Sequence, residues 1–188
     1  TDSSATVTQA VANPRRGWGR PHSTHNVCCR DPVHTIEVVY PLFLRLTGKR
    51  VLVVGAGPVA ARRVRALLAQ GADVTVVAPG SIDGFPCEVS RRPFDVDDLR
   101  GVWLVQACAT PQVNARVAAA AEDAGIWCVN ASQGTAGTAR LPATITHGDV
   151  IVGALSTAEP DPGRVAAVRD ALADHLGAGA VDLRRRRR

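Results

Sequence analysis

At 188 residues the chain is long enough for one or two domains with a buried core, and 46% hydrophobic with 21% charged residues is the balance of a globular protein rather than a disordered one. No run approaches the roughly 18 apolar residues of a membrane-spanning helix, and no apolar signal-type segment opens the chain, so neither a membrane partner nor secretion is expected. The net charge of +5 belongs to the ends: residues 184–188 are all arginine and supply +5, residues 1–35 supply +2, and residues 36–183 therefore carry −2, which argues against a nucleic-acid partner.

Residues 1–35 are polar, rich in Pro, Gly and Arg, and without apolar periodicity; they read as a disordered extension. His22, His25, Cys28, Cys29 and His34 are metal-type ligands at close spacing. No matching second pair follows them, as a closed zinc site requires, so no metal site is expected. The other cysteines are Cys87, Cys108 and Cys128, and the last two lie in apolar runs as small hydrophobes. A reduced, cytoplasmic protein fits this usage. The chain begins at Thr1 without methionine, so a trimmed product or a piece of a longer one is expected.

After an apolar lead-in at residues 40–44, residues 51–54 (VLVV) form a short β-branched run, read as a strand buried on both faces. Then comes Gly55-Ala56-Gly57-Pro58-Val59-Ala60, a G-x-G-x-x-A. Residues 61–70 have helical spacing, with Val64, Leu67 and Leu68 on one face and Arg62, Arg63 and Arg65 largely off it. Gly71 ends the helix, and residues 74–77 form a second apolar strand. This is one βαβ unit of about 30 residues, the context that gives the glycine pattern meaning. Gly55 permits the tight turn, Gly57 lets backbone approach a pyrophosphate, and Ala60 lets helix and strand pack closely. The free N–H groups at the helix start then face the phosphates. A dinucleotide site usually has Asp or Glu about 20 residues on, at the end of the second strand. Here that place reads Val76-Val77-Ala78-Pro79-Gly80, with neither a carboxylate nor an arginine for a 2′-phosphate.

Further on, residues 87–90 suggest a short third strand, residues 93–99 a turn and acidic helix, residues 102–107 a buried strand, residues 112–124 a helix and residues 126–130 a fifth strand. Strands and helices alternate, which implies an α/β fold with a parallel, doubly wound sheet. Ligands of such sheets lie beyond the carboxyl ends of the strands, which puts Gly55, Pro79, Thr110 and Asn130 on one rim. Residues 131–139 are small and polar and read as a loop over that rim. Residues 141–145 and 150–155 are predicted strands, residues 164–176 a helix, and residues 177–188 a linker. An apolar strand edge at 150–155 would be covered by pairing across a two-fold axis, so a homodimer is expected. The expected divisions are 1–35, 36–130, 131–176 and 177–188.

With these pieces in place, the chain resembles the N-terminal module of sirohaem synthase, the family of precorrin-2 dehydrogenases and sirohydrochlorin ferrochelatases. The resemblance runs over about residues 40–176. It rests on Tyr40-Pro41-Leu42-Phe43, the segment from Val53 to Ala60, GADVTVVAP from Gly71, Phe94-Asp95, Gly101-Val102-Trp103-Leu104-Val105, Ala109-Thr110, Val113-Asn114, Val129-Asn130, Pro142-Ala143 and Ser156-Thr157. It implies a Rossmann-type domain with a small C-terminal dimerisation subdomain. It also implies NAD as cofactor, held without the usual acidic residue, with contacts at Pro58-Val59 and Pro79-Gly80. Precorrin-2 would be the substrate, ferrous iron a second one, and a uroporphyrinogen methyltransferase a partner beyond the arginine-rich end.

Three residues after the family's Val-Asn lies an aspartate thought to be the acid/base; here that position is Gln133. A glutamine amide has no titratable proton near neutral pH. The usual Gly-Gly-rich loop reads Ala158-Glu159-Pro160-Asp161-Pro162, and Asp149, Asp161, Glu159 and His147 are candidates for a displaced base. The expected function is an NAD-dependent precorrin-2 dehydrogenase of sirohaem biosynthesis, impaired at Gln133, with Asn130 and Gln133 as the site of chemistry. A non-enzymatic nucleotide-sensing Rossmann module and a tetrapyrrole-binding remnant are the alternatives.

Overall fold

In a computed structural model of the chain, the described residues are 39–157 and 161–179. The extension of residues 1–35 with its His and Cys ligands, Glu159 and the terminal arginines lie outside them. Four short apolar runs form a parallel sheet: β1 (Arg50–Val54), β2 (Asp73–Val77), β3 (Leu104–Ala107) and β4 (Trp127–Asn130), in the order β2-β1-β3-β4. From β1 the chain first moves to β2, then crosses back over β1 to β3. Helix α1 (Pro58–Ala69) joins β1 to β2 and helix α2 (Pro111–Asp123) joins β3 to β4.

Side chains alternate along a strand, so the two helices claim opposite faces. Val51 and Val53 pack with Ala60, Val64 and Leu67 of α1. Leu52, Val54 and Val105 pack with Val117, Ala118 and Ala121 of α2. Helices on both faces make the sheet doubly wound, as its alternating pattern predicts. Two positions on α1 depart from the expected face. Leu68 is 41% exposed, while Arg63, expected off the apolar face, lies against the sheet and bonds Gln106.

The expected third strand shrinks to one parallel bridge between Ser90 and Val77. Ala78 N–H donates to Ser90 O (3.1 Å) and Ser90 N–H to Val76 O (2.9 Å). Pro86 and exposed Glu88 leave too short an apolar run for more. The acidic helix is a single 3₁₀ turn, Val96–Leu99, held by a capping box between Asp95 and Asp98. Arg92 grips the Asp98 carboxylate with both terminal nitrogens (2.9 and 2.5 Å).

Beyond Asn130, residues 137–139 run along the outer edge of β4. Ala139 N–H donates to Cys128 O, and Cys128 N–H to Thr138 Oγ1, both at 2.9 Å. Gly137 permits this close approach, since a Cβ there would sit 2.5 Å from Cys128 O. An antiparallel hairpin follows, β5 (Ala143–His147) and β6 (Val150–Ala154), turning at Gly148 with φ +60°. Strand β5 starts after Pro142, two residues later than expected, because proline has no N–H for a ladder. Helix α3 (Pro162–Gly177), capped by Asp161, packs on the hairpin. No described residue after Asn130 is buried.

Candidate dinucleotide-binding site

The sheet register sets the frame. Val77, Val54, Ala107 and Asn130 are partners in one row across β2, β1, β3 and β4. With strands about 4.8 Å apart, that row spans roughly 14 Å. All four strands therefore end together, and the topology reverses between β1 and β3, where ligands of such sheets bind.

The chain leaves β1 at the reversal through Gly55, with φ +110°. A Cβ there would lie 2.4 Å from Cys108 O, so both conformation and space require glycine. Gly57 is the N-cap of α1 and offers no side-chain cap. Pro58 at N1 has no N–H, while those of Val59 and Ala60 have no partner within the helix. A Cβ on Gly57 would meet nothing within 4 Å, so space lies open above these donors. Ala56 is buried beneath the turn. Helices α2 and α3 fill the same position themselves: Val113 N–H donates to Thr110 Oγ1 (3.5 Å) and Arg164 N–H to Asp161 Oδ1 (2.9 Å). Thr110, expected at the rim, is there, and its hydroxyl serves α2.

Pro79 and Gly80 follow β2, and a Cβ on Gly80 would also meet open space. Ile82 N–H donates to Ala56 O (3.2 Å), tying this loop to the glycine turn. The expected cradle residues Gly55, Ala56, Gly57, Pro58, Val59, Pro79 and Gly80 are thus brought together. The sequence missed what joins them. Continuing past the Ser90 bridge, Arg91 reaches back to the loop, its Nη2 3.5 Å from Ser81 Oγ. Ser81, Asp83, Glu88 and Arg91 help line an open hollow of about 810 Å³. No arginine was expected here, because nothing in the local pattern shows that residue 90 pairs with residue 77. A basic pair directly after a weak strand was the only signal.

At the other end of the row, a polar network holds the loop after β4. Asn114 is fully buried; its Oδ1 accepts from Ala109 N–H (2.8 Å), and its Nδ2 donates to Ala109 O (3.2 Å) and Ser132 Oγ (3.0 Å). Asn130 Oδ1 accepts from Ser132 N–H (3.0 Å), Ser132 Oγ (2.8 Å) and Gln133 N–H (3.1 Å). Gln133 is exposed, and its side chain caps nothing. Of the displaced-base candidates, His147 and Asp149 flank the hairpin turn and Asp161 caps α3, so none shares an element with Gln133.

Between these ends lies a half-buried basic group. Arg63 Nη1 donates to Gln106 Oε1 (2.6 Å), and its Nε is buried without a partner among the described residues. Desolvation lowers the Arg63 pKa. Burial raises that of nearby Cys108, although the arginine opposes it, and pushes Cys128 up to about 11. These thiols are therefore protonated at neutral pH, as packed hydrophobes. Among the described residues no group of three or more His, Cys, Asp or Glu is placed to hold a metal, and no helix is long and apolar enough to cross a membrane.

Known proteins bear out the resemblance. "Siroheme synthase 1" of Aeromonas salmonicida is 34% identical over 158 residues, covering 75% of this chain and 32% of the relative. "Siroheme synthase" of Tolumonas auensis is 32% identical over 148 residues, covering 73% and 31%. The chain thus spans about a third of the length of these relatives. Among solved structures, "SirC, precorrin-2 dehydrogenase" superposes with a TM-score of 0.59 at 26% identity, covering 73% of this chain and 71% of that one. Residues 42–143, from the lead-in through all four parallel strands to the loop after β4, match the family described as "Putative NAD(P)-binding", and the chain belongs to that family.

Proposed function

We propose that this chain is an NAD-dependent precorrin-2 dehydrogenase of sirohaem biosynthesis, limited in its chemistry at Gln133. One observation carries the binding half: an uncapped helix start under open space at Gly57, at the topological reversal of the sheet. The residues fit the cofactor. Gly55 brings β1 against β3, the Val59 and Ala60 N–H groups supply donors for a pyrophosphate, and Pro79 and Gly80 leave room for the adenosine half. When bound, NAD supplies the hydride acceptor. The protein's part is to orient the tetrapyrrole and to take a proton from it.

The second task falls on the loop after β4. Asn130, through its three accepted bonds, holds the Gln133 backbone at the rim. Gln133 itself can donate and accept hydrogen bonds but cannot serve as a base. Binding therefore survives while proton removal is weakened. That same feature favours a second reading, a tetrapyrrole- or nucleotide-binding module without turnover. Ferrous insertion also requires protons to leave the pyrrole nitrogens and is weakened equally. We further propose a cytoplasmic homodimer paired through residues 131–176, and a uroporphyrinogen methyltransferase as partner.

The test is an anaerobic assay with precorrin-2 and NAD, following NADH absorbance and the sirohydrochlorin spectrum. Gln133→Asp should raise turnover by roughly 10²–10⁴-fold, the usual worth of a placed general base. Full activity in the unmodified protein would refute the limit set by Gln133. Absence of turnover in both, with both ligands bound, would leave the module reading.

A further inference from the structure

We propose that Arg63 is an anion-binding group of the ligand site: Gln106 holds its guanidinium beside the end of β3, and the remaining N–H edge takes a carboxylate or phosphate oxygen of a molecule bound at the rim. Such an oxygen has two sources, the diphosphate of the dinucleotide and the carboxylate side chains of the tetrapyrrole, so the inference rests on the function proposed above and adds a residue to it.

Position comes first. Gln106 pairs with Val53 of β1 and Val129 of β4, at the reversal of the sheet and one residue short of the row Val54, Ala107 and Asn130 that ends the strands. One residue of strand is about 3.3 Å. Val53 and Val129 pack in the cluster under α1, and Gln106 shares their row and therefore their face. Arg63 lies in the second turn of α1. Helical side chains lean toward the helix start, which here is the glycine turn. Arg63 Nη1 donates to Gln106 Oε1 at 2.6 Å. Its charge also reaches Cys108, the first residue past β3, whose carbonyl Gly55 approaches.

Charge comes second. Among the described residues no carboxylate lies within ion-pair distance of Arg63. The groups whose charges act on it are Cys108, a protonated thiol, and Arg62, another cation. A carboxylate on β3 would tie helix to sheet equally well and neutralise the arginine. Gln106 orients the guanidinium and leaves its charge whole. A half-buried cation without a counter-charge is costly, and an arriving anion relieves that cost. The unspent donors suit this task. Nε is buried without a partner, while Nη2, which also makes no hydrogen bond among the described residues, is not sealed from solvent. Nε and Nη2 form the edge with which arginine grips paired oxygens of a carboxylate or phosphate.

Calorimetry of the whole chain with NAD, and separately with sirohydrochlorin under anaerobic conditions, tests this. Arg63→Met keeps the apolar stem and should weaken one ligand or both by roughly 10- to 100-fold, the worth of one or two hydrogen bonds to a charged group. A loss confined to sirohydrochlorin assigns the anion to a tetrapyrrole carboxylate, and a loss confined to NAD assigns it to the diphosphate. Arg63→Lys should keep part of the affinity, since it retains the charge without the paired edge. Gln106→Glu sets a carboxylate against the guanidinium with little change of shape; it should hold the melting temperature and weaken the same ligand as Arg63→Met does. Affinities for both ligands within about twofold of the original in Arg63→Met and in Gln106→Glu would overturn the proposal. So would a loss in Arg63→Met that accompanies a lowered melting temperature and is absent from Gln106→Glu, since Arg63 would then be a brace alone. An unmodified chain that binds neither ligand would instead overturn the function on which the proposal rests.

Discussion

The two halves of the described chain solve the burial problem differently. Residues 50–130 place helices on both faces of a parallel sheet and bury most of their large apolar side chains, Val51, Leu52, Val53, Val105 and Val117 among them. The hairpin β5–β6 with α3 has one sheet and one helix, and buries none. Val168, Leu172, Val150 and Ile151 stay exposed along it. The contrast follows from layers: three close over a core, while two leave one face of each open. The first half can therefore hold a ligand rim rigidly without help. The second leaves these apolar side chains uncovered, which is the reason for proposing a dimer there.

The largest effect should come from the reversal point in the first half. Gly55→Ala places a Cβ against Cys108 O at a positive φ and should cost ~3 kcal/mol or more. Urea unfolding that shifts by less than about 1 kcal/mol would show that β1 and β3 can part there without penalty. Next comes a matched pair of truncations. Leu52→Ala, in the doubly covered half, should lose ~2–5 kcal/mol by urea unfolding. Leu172→Ala, on α3, should lose less than about 1 kcal/mol at low protein concentration and more as concentration rises, if a second copy covers the helix. Equal losses in the two variants would erase the distinction between the halves.

A smaller effect concerns pH. The hydrogen bonds from Arg92, opposed by partial burial, hold the Asp98 carboxyl below its usual range. A depressed pKa means the stabilisation is fully present above the unfolded value near ~3.9 and is lost as pH falls through the folded value. Asp98→Asn should therefore cost ~1 kcal/mol at neutral pH and flatten the acid limb of stability below about pH 4. An unchanged acid limb, read by thermal melts across that range, would mean the pair contributes nothing.

The same division describes what could be read in advance. The βαβ unit was legible because residues 51–54 and 74–77 are continuous apolar runs and Gly55 and Gly57 stand between strand and helix. The rim positions of Thr110 and Asn130 follow from the alternation of strands and helices, which makes the sheet parallel and puts its carboxyl ends on one side. Pairings distant along the chain were not legible. Ser90 finds Val77 with no pattern of its own, and that single bridge carries Arg91 to Ser81. The helical spacing puts Arg63 largely off the apolar face, yet buried Gln106 on β3 draws it against the sheet, a pairing that the spacing of α1 does not reveal. Asn114 carries part of the family resemblance, but its partner does not show in the sequence: Ser132, in the loop after β4, is 18 residues away.

The most direct measurement is calorimetry of NAD binding to Gly57→Leu. The position has open space on the backbone side, a β-region φ of −86°, and no packing role, so the fold should tolerate leucine and the melting temperature should hold. The side chain would occupy the space above the Val59 and Ala60 N–H groups, and NAD binding should fall below detection. Unchanged affinity in a folded Gly57→Leu protein would contradict the claim that the glycine turn holds the dinucleotide.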